Sequence, residues 1–392
     1  MSTGRERAIV VGGGAWGLPA ALRLQELGWQ VTLLERFEPG GPYASNGGSS
    51  RLWRLADTQV WRARSIFETL GAMERLGDRL GEPVFRRTGL LWRDDRSLPA
   101  VAEALASIGQ PVQRVAADRV GEAFPGLRPD GRDALFVEQA GVVHADRLLA
   151  GALRAFLGAG GDYRPHSRVV RIEPGATTAT AVLEDGTVHE AEQLLLAAGP
   201  GTAELLPGLG LRLPLTPYIE QVVYLGDPAL SPPAPYLPGL VDCPIGDEPG
   251  VYAMPNGAAG YKMGLDQPLR RLVDGTLGDD LDRAAVPDRT ETIRARVERD
   301  LAAVPPIVLG TQVCTWTDSG DGDFVVGRVH PAVVLACGDS GEGFKYAAFM
   351  GEYLAELVEG GTGDPEFQAH WDPRRFGAEA EPRDHFDAIG RH

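Results

Sequence analysis

AIVVGGGAWGLPAALRLQELGWQVTLLER, residues 8–36, decides the fold. Four apolar residues, 8–11, make a short strand, and three glycines follow in the spacing G-x-G-x-x-G, at Gly12, Gly14 and Gly17. A helix runs out of the glycines and stops at Gly28. A second strand then ends in Glu35, 18 residues after Gly17. Each position has a physical reason. Gly12 permits the tight turn, Gly14 lets the backbone approach a pyrophosphate, and Gly17 allows close helix–strand packing. The helix N-terminus stabilises phosphate, and Glu35 can accept hydrogen bonds from a ribose diol. The block specifies a dinucleotide site, in which FAD and NAD are not yet distinguished.

The chain beyond Glu35 separates them. A simple doubly wound domain would continue with a helix, but the loop RFEPGGPYASNGGSSRLWR (36–54) follows instead. The nucleotide fold resumes late, at HADRLLAGALRAFLGAGGDYRPHSRVVRIEPG (144–175), where a helix leads to a strand around Val169 and Val170. A hairpin comes next, and its last strand ends in Ala197, Ala198 and Gly199, small residues that let backbone pass close to a cofactor. Strand, Gly-rich loop and helix recur in AVVLACGDSGEGFKYAAFMGEYLAELVEG (332–360). Between these pieces lie alternating strands (QVVYL, GVYAM), the Pro-rich loop LSPPAPYLPG and a long helix, DRTETIRARVERDLAAV. The expectation is an α/β protein: a Rossmann-like domain (1–82, 141–213, 323–375) interrupted by an antiparallel-sheet substrate domain (83–140, 214–322). Residues 376–392 are expected to form a polar tail.

Composition narrows the function. The net charge of −16 argues against nucleic acid and anionic membrane surfaces as partners. No apolar run approaches the roughly 20 residues of a membrane span. The first residues enter a strand almost at once, so no signal peptide is expected and a cytoplasmic enzyme is. Of 38 basic residues only Lys262 and Lys345 are lysines. An ammonium is compact and shifts its pKa on burial, unlike a guanidinium, so two retained lysines mark themselves out. The three cysteines, Cys243, Cys314 and Cys337, suggest neither disulfides nor a metal site. Cys337 lies in the apolar strand VVLAC and Cys243 in a DCP loop. Cys314 opens VCTWTDSGDGDFVVG (313–327), which has the pattern of strand, acidic Gly-rich turn, strand.

GxGxxG, GGSSRLWR, YKMG, the Cys314 stretch and GDSGEGFK occur in that order. Together they resemble the flavin-dependent amine oxidases of the monomeric sarcosine oxidase and N-methyltryptophan oxidase family, with fructosyl-amino-acid oxidases as relatives. The resemblance covers nearly the whole chain. It implies FAD, attached through a thioether to Cys314, with further contacts from Arg36, Ser50, Arg51, Val169, Gly341, Gly343, Phe344 and Lys345. It also implies that Lys262 promotes reaction of the reduced cofactor with O₂, and that Arg54 and Lys345 clamp a substrate carboxylate. Tyr252 matches a pocket tyrosine. Departures from the family pattern are Asp266 and Glu342 where sarcosine oxidase has histidines, and Trp316 in place of a tyrosine. Asp266 and the phrase RLWRLADTQ resemble the piperideine-2-carboxylate oxidase of nikkomycin biosynthesis. The implied reaction is oxidation of a secondary or cyclic amine bearing a carboxylate, giving an imine and H₂O₂. The alternative is stepwise dehydrogenation of a cyclic imino acid. A monomer with small-molecule partners only is expected.

Overall fold

The computed structural model describes residues 6–278, 280–377 and 379–383; residues 384–392 of the expected tail lie outside it. A six-stranded sheet runs in the order 325–330, 333–337, 193–196, 7–11, 30–34, 162–164. All neighbours in it are parallel except the first pair. The central strands are apolar on both faces because helices cover one side and the small sheet of strands 169–174, 179–183 and 188–191 covers the other. The helix Gly17–Glu26 packs against Ala347–Val358. Contact there is so close that a Cβ on Gly351 would lie 2.7 Å from that of Pro19.

A nine-stranded sheet forms the second layer, in the order 270–271, 215–225, 261–265, 251–255, 239–242, 90–93, 134–137, 113–115, with Val308–Ser319 paired along Leu215–Leu225. It is antiparallel apart from one pair, 239–242 with 90–93. The helix Pro287–Asp300 lies behind it and buries Ile293 and Val297.

Three local features differ from the sequence reading. Ser50–Trp53, read as loop, is a strand that pairs with Gly141–His144. Phe85–Arg87 joins the same strand, so this small sheet crosses the boundary expected at residue 140. Val169–Pro174 is a strand, but it belongs to a separate three-stranded sheet with 179–183 and 188–191. The strand that enters the nucleotide sheet is Asp162–Arg164, beside Gln30–Leu34. No helix among the described residues is long and apolar enough to cross a membrane.

Candidate active site

One cleft runs between the two large sheets; counted together with the open solvent at its mouth, its space measures about 2270 Å³. Its nucleotide end is built by the glycines. Gly12 has φ +102°, and a Cβ there would lie 2.3 Å from the Ala197 carbonyl oxygen. A Cβ on Gly17 would lie 2.0 Å from the Gly12 oxygen, so neither position admits a side chain. Gly14 is open, its nearest neighbour being Asn46 Nδ2 at 3.5 Å. The Glu35 carboxylate is held by two backbone N–H donors, from Gly13 (2.6 Å, to Oε2) and Phe37 (2.8 Å, to Oε1). A carboxylate has about four acceptor positions, so two remain for a ligand. Arg36 donates to the Gly278 carbonyl at 2.6 Å and lies over Phe37. Trp16 Nε1 donates to the Gly343 carbonyl at 2.8 Å, tying the first helix to the GDSGEGFK loop.

The nine-stranded sheet is the floor, and its register sorts the residues. Gln312, Val222, Gly264, Tyr252 and Val241 lie across five neighbouring strands in one row. Residues two apart share a face of a pleated strand. Lys262 therefore shares that face on one side of the row, and Cys314, Glu220 and Asp266 share it on the other; all four line the cleft. A Cβ on Gly264 would meet the Tyr252 hydroxyl at 2.4 Å, so the glycine of YKMG is what lets the Tyr252 ring cross the floor. Trp316, two residues beyond Cys314, packs tilted against Tyr218 with ring centroids 4.9 Å apart and also borders the cleft.

Residues 45–54, a loop that runs into the strand Ser50–Trp53, form one wall. Arg51 donates to three carbonyls, of Ser45 (3.0 Å), Gly47 (2.6 Å) and Ser50 (2.9 Å), and lies over the Phe344 ring. Lys262 Nζ donates to the same Ser50 carbonyl. Arg54 is buried against Trp92, and Lys345 is buried in the turn before Ala347–Val358. The two converge on Glu342. Its Oε2 accepts from Lys345 Nζ at 2.7 Å, and its Oε1 pairs with Arg54.

Residues 7–357 match the family described as FAD dependent oxidoreductase. The chain belongs to this family. It is 28% identical over 367 residues to the peroxisomal sarcosine oxidase of Homo sapiens, covering 89% of this chain and 91% of that protein. It is also 28% identical to the monomeric sarcosine oxidase of Streptomyces avermitilis, covering 94% and 97%. The solved open form of NikD, an amino acid oxidase essential for nikkomycin biosynthesis, shares the fold. Its TM-score is 0.82 at 22% identity over 94% of this chain and 98% of that one.

The nucleotide end fits FAD. Asn46 lines the cleft and is buried, yet neither its amide nitrogen nor its amide oxygen has a partner. A buried amide without hydrogen bonds costs free energy, so Asn46 is placed for a ligand's polar groups. Open Gly14 and the two remaining acceptor positions on Glu35 give the same fit.

Burial dominates the electrostatics. It holds Lys262 well below the ordinary lysine pKa, and the Arg51 charge lowers it further. Lys345 is likewise held well below, by burial and then by Arg54. Burial raises Tyr252 well above the phenol range and raises the Cys314 thiol, which Arg51 opposes. Glu220 is pushed up to about 7 by burial, against its ion pair with Arg289 at 2.8 Å; Asp266 adds to the rise. Cys243, read as a loop residue without a role, is a buried free thiol on the cleft wall.

Of the residues singled out in the sequence, those above meet around one cleft, and Val169, Gly341 and Phe344 line it too. Ser50 contributes its carbonyl, while its buried hydroxyl has no partner. Sequence reasoning missed Asn46 and Glu220. The latter carried a signal, since a lone acid inside the apolar strand TPYIEQVVYL must face something other than core.

Proposed function

We propose that this chain oxidises a small secondary or cyclic amine that carries a carboxylate, such as an N-methyl or cyclic amino acid. The observation that carries the reading is the buried Arg54–Lys345 pair converging on a single carboxylate inside the FAD cleft. Two buried cations meeting at one point form a charge-assisted site for an anion. The names of the relatives, which are oxidases of sarcosine, support the same class.

When bound, FAD supplies the electron acceptor, taking a hydride equivalent from the carbon beside the amine nitrogen and passing two electrons to O₂ to give H₂O₂. The chain's residues do the rest. Arg54 and Lys345 orient the substrate by its carboxylate, with Tyr252 of the floor row and Asp266 to one side of that row as its contacts from the floor. Asp266 holds or receives the proton of the amine, because a neutral amine releases hydride more readily than an ammonium. Lys262 places positive charge where electron transfer to O₂ builds negative charge. Cys314 is the residue to carry FAD through a thioether, with Arg51 and Phe344 against the ring system. Monomeric state, cytoplasmic location and the domain division given above belong to this proposal. Asp266 in place of a histidine also suits a cyclic imino acid dehydrogenated in successive steps.

The test is an anaerobic screen of flavin reduction with N-methyl and cyclic amino acids, each beside its methyl ester. Reduction by at least one acid, with its ester slow, supports the reading. Equal rates for acid and ester, or no reduction by any amino acid, overturn it.

A further inference from the structure

The cation pair assigned to the substrate's carboxylate already holds one. Glu342 gives one oxygen to each cation, Oε2 to Lys345 at 2.7 Å and Oε1 to Arg54. Lys345 and Arg54 are almost fully enclosed, whereas the Glu342 side chain keeps 16% of its surface open. Glu342 ends a loop in which Gly338, Ser340 and Gly341 all have positive φ (+66°, +46° and +76°). That backbone aims Glu342 back at Lys345, which lies three residues on.

We propose that Glu342 is an internal occupant of the anion subsite, and that substrate binds by exchanging its carboxylate for that of Glu342. The proposal rests on the substrate class given above and adds a reason for the acid at this position. Without Glu342 the closed site would hold Arg54 and Lys345 side by side out of water with Asp57 as the carboxylate acting on both, one negative charge for two positive ones. Burial and the Arg54 charge work against the ammonium of Lys345, and a carboxylate oxygen at 2.7 Å works for it. Glu342 keeps both groups charged until substrate arrives. Exchange of anion for anion leaves the charge of the site unchanged.

The arrangement also selects. Apparent affinity falls by the fraction of time the clamp is free, so a clamp open one-tenth of the time binds about tenfold more weakly. An acid without an amine offers only what Glu342 already supplies. An amino acid adds contacts from its nitrogen to the floor, where Asp266 and Glu220 line the cleft. Glu342 is thus a specificity-determining residue that rejects amine-free carboxylates.

The test is equilibrium binding of acetate and 2-furoate to the FAD-loaded enzyme, by calorimetry and by the change in flavin absorbance, at constant ionic strength. Wild type, Glu342→Gln, Glu342→Ala and Arg54→Ala are compared after their flavin content is matched. Both Glu342 variants should bind these acids about tenfold tighter than wild type or better. Affinity equal to or weaker than wild type in both Glu342 variants overturns the proposal. If Arg54→Ala then abolishes binding, the carboxylate clamp itself stands. If Arg54→Ala binds as wild type does, the substrate reading has failed as well.

Discussion

Replacing Lys262 with Met removes one charge from the cleft floor and keeps nearly the same side-chain length. The structure sets the size of the effect. Lys262 is buried, its Nζ donates to the Ser50 carbonyl, and no carboxylate among the described residues lies within ion-pair distance of it. Its charge is therefore not cancelled locally. At an effective dielectric of ~20, a unit charge ~4 Å away contributes ~4 kcal/mol. Loss of one preorganised donor costs about 3–4 kcal/mol in comparable sites, or roughly 10²–10³ in rate. The assay is stopped-flow in two halves, anaerobic reduction by substrate and then reoxidation by O₂. Lys262→Met should slow reoxidation 10²–10³-fold and leave reduction within about tenfold. Because burial holds the Lys262 pKa well below its ordinary value, wild-type reoxidation should fall as pH rises through that lowered pKa, and the Met variant should lack this limb. Equal loss in both half-reactions, or the same pH profile in the variant, refutes the reasoning.

Cys314→Ala should release FAD into the supernatant on acid precipitation, whereas wild type keeps its colour in the pellet; free flavin from wild type rules out the thioether. Arg54→Ala should raise KM steeply, by about 2–5 kcal/mol in binding, since the substrate carboxylate loses one of its two cations and the other, Lys345, stays paired with Glu342. An unchanged KM for a carboxylate substrate counts against the clamp. Asp266→Asn should lower the rate of flavin reduction and alter its pH profile while reoxidation stays close to normal; normal reduction at every pH excludes proton handling. Glu220 titrates at about 7 in the folded protein, above its unfolded value. The folded state therefore holds the proton longer, so this group's contribution to stability is complete below about pH 4.5 and is lost as pH rises to about 7. Glu220→Gln should remove that component, seen as a flatter Tm-against-pH difference curve; an unchanged slope shows Glu220 ionises normally.

What could be read from the sequence depended on how local the cause was. Gly12, Gly14, Gly17 and Glu35 lie within 24 residues, and the reasons for each are steric and visible one residue at a time. The strand Ser50–Trp53 was hidden because its partner, Gly141–His144, is some 90 residues away and its own four residues show no clean alternation. Asp162–Arg164 was hidden for another reason. Three residues between a Gly-Gly pair and a proline make a weak strand next to the apolar run at Val169, yet they fill the open edge beside Gln30–Leu34. Glu342 close to Lys345 follows from i,i+3 spacing in the sequence. That Arg54 reaches the same carboxylate depends on how the 45–54 wall folds over the floor. Glu220 needed the sheet register, which puts it opposite Cys314, before it could be assigned to the cleft.

The two lysines show how environment divides one residue type between two tasks. Both are buried and both have lowered pKa values, with burial the leading cause and a neighbouring arginine next. Their partners differ. Lys345 faces a carboxylate at 2.7 Å, so its charge is matched by an anion in the resting protein and, after exchange, by the substrate. Lys262 faces a carbonyl, which orients the ammonium through a dipole but leaves the unit charge in place. A matched cation recognises a stable anion; an unmatched one stabilises negative charge that exists only while electrons move. What separates lysine from arginine in both places is that a buried ammonium shifts its pKa with its surroundings, whereas a guanidinium stays charged whatever it faces. In a chain that uses arginine at 36 of 38 basic positions, those two environments account for the exceptions.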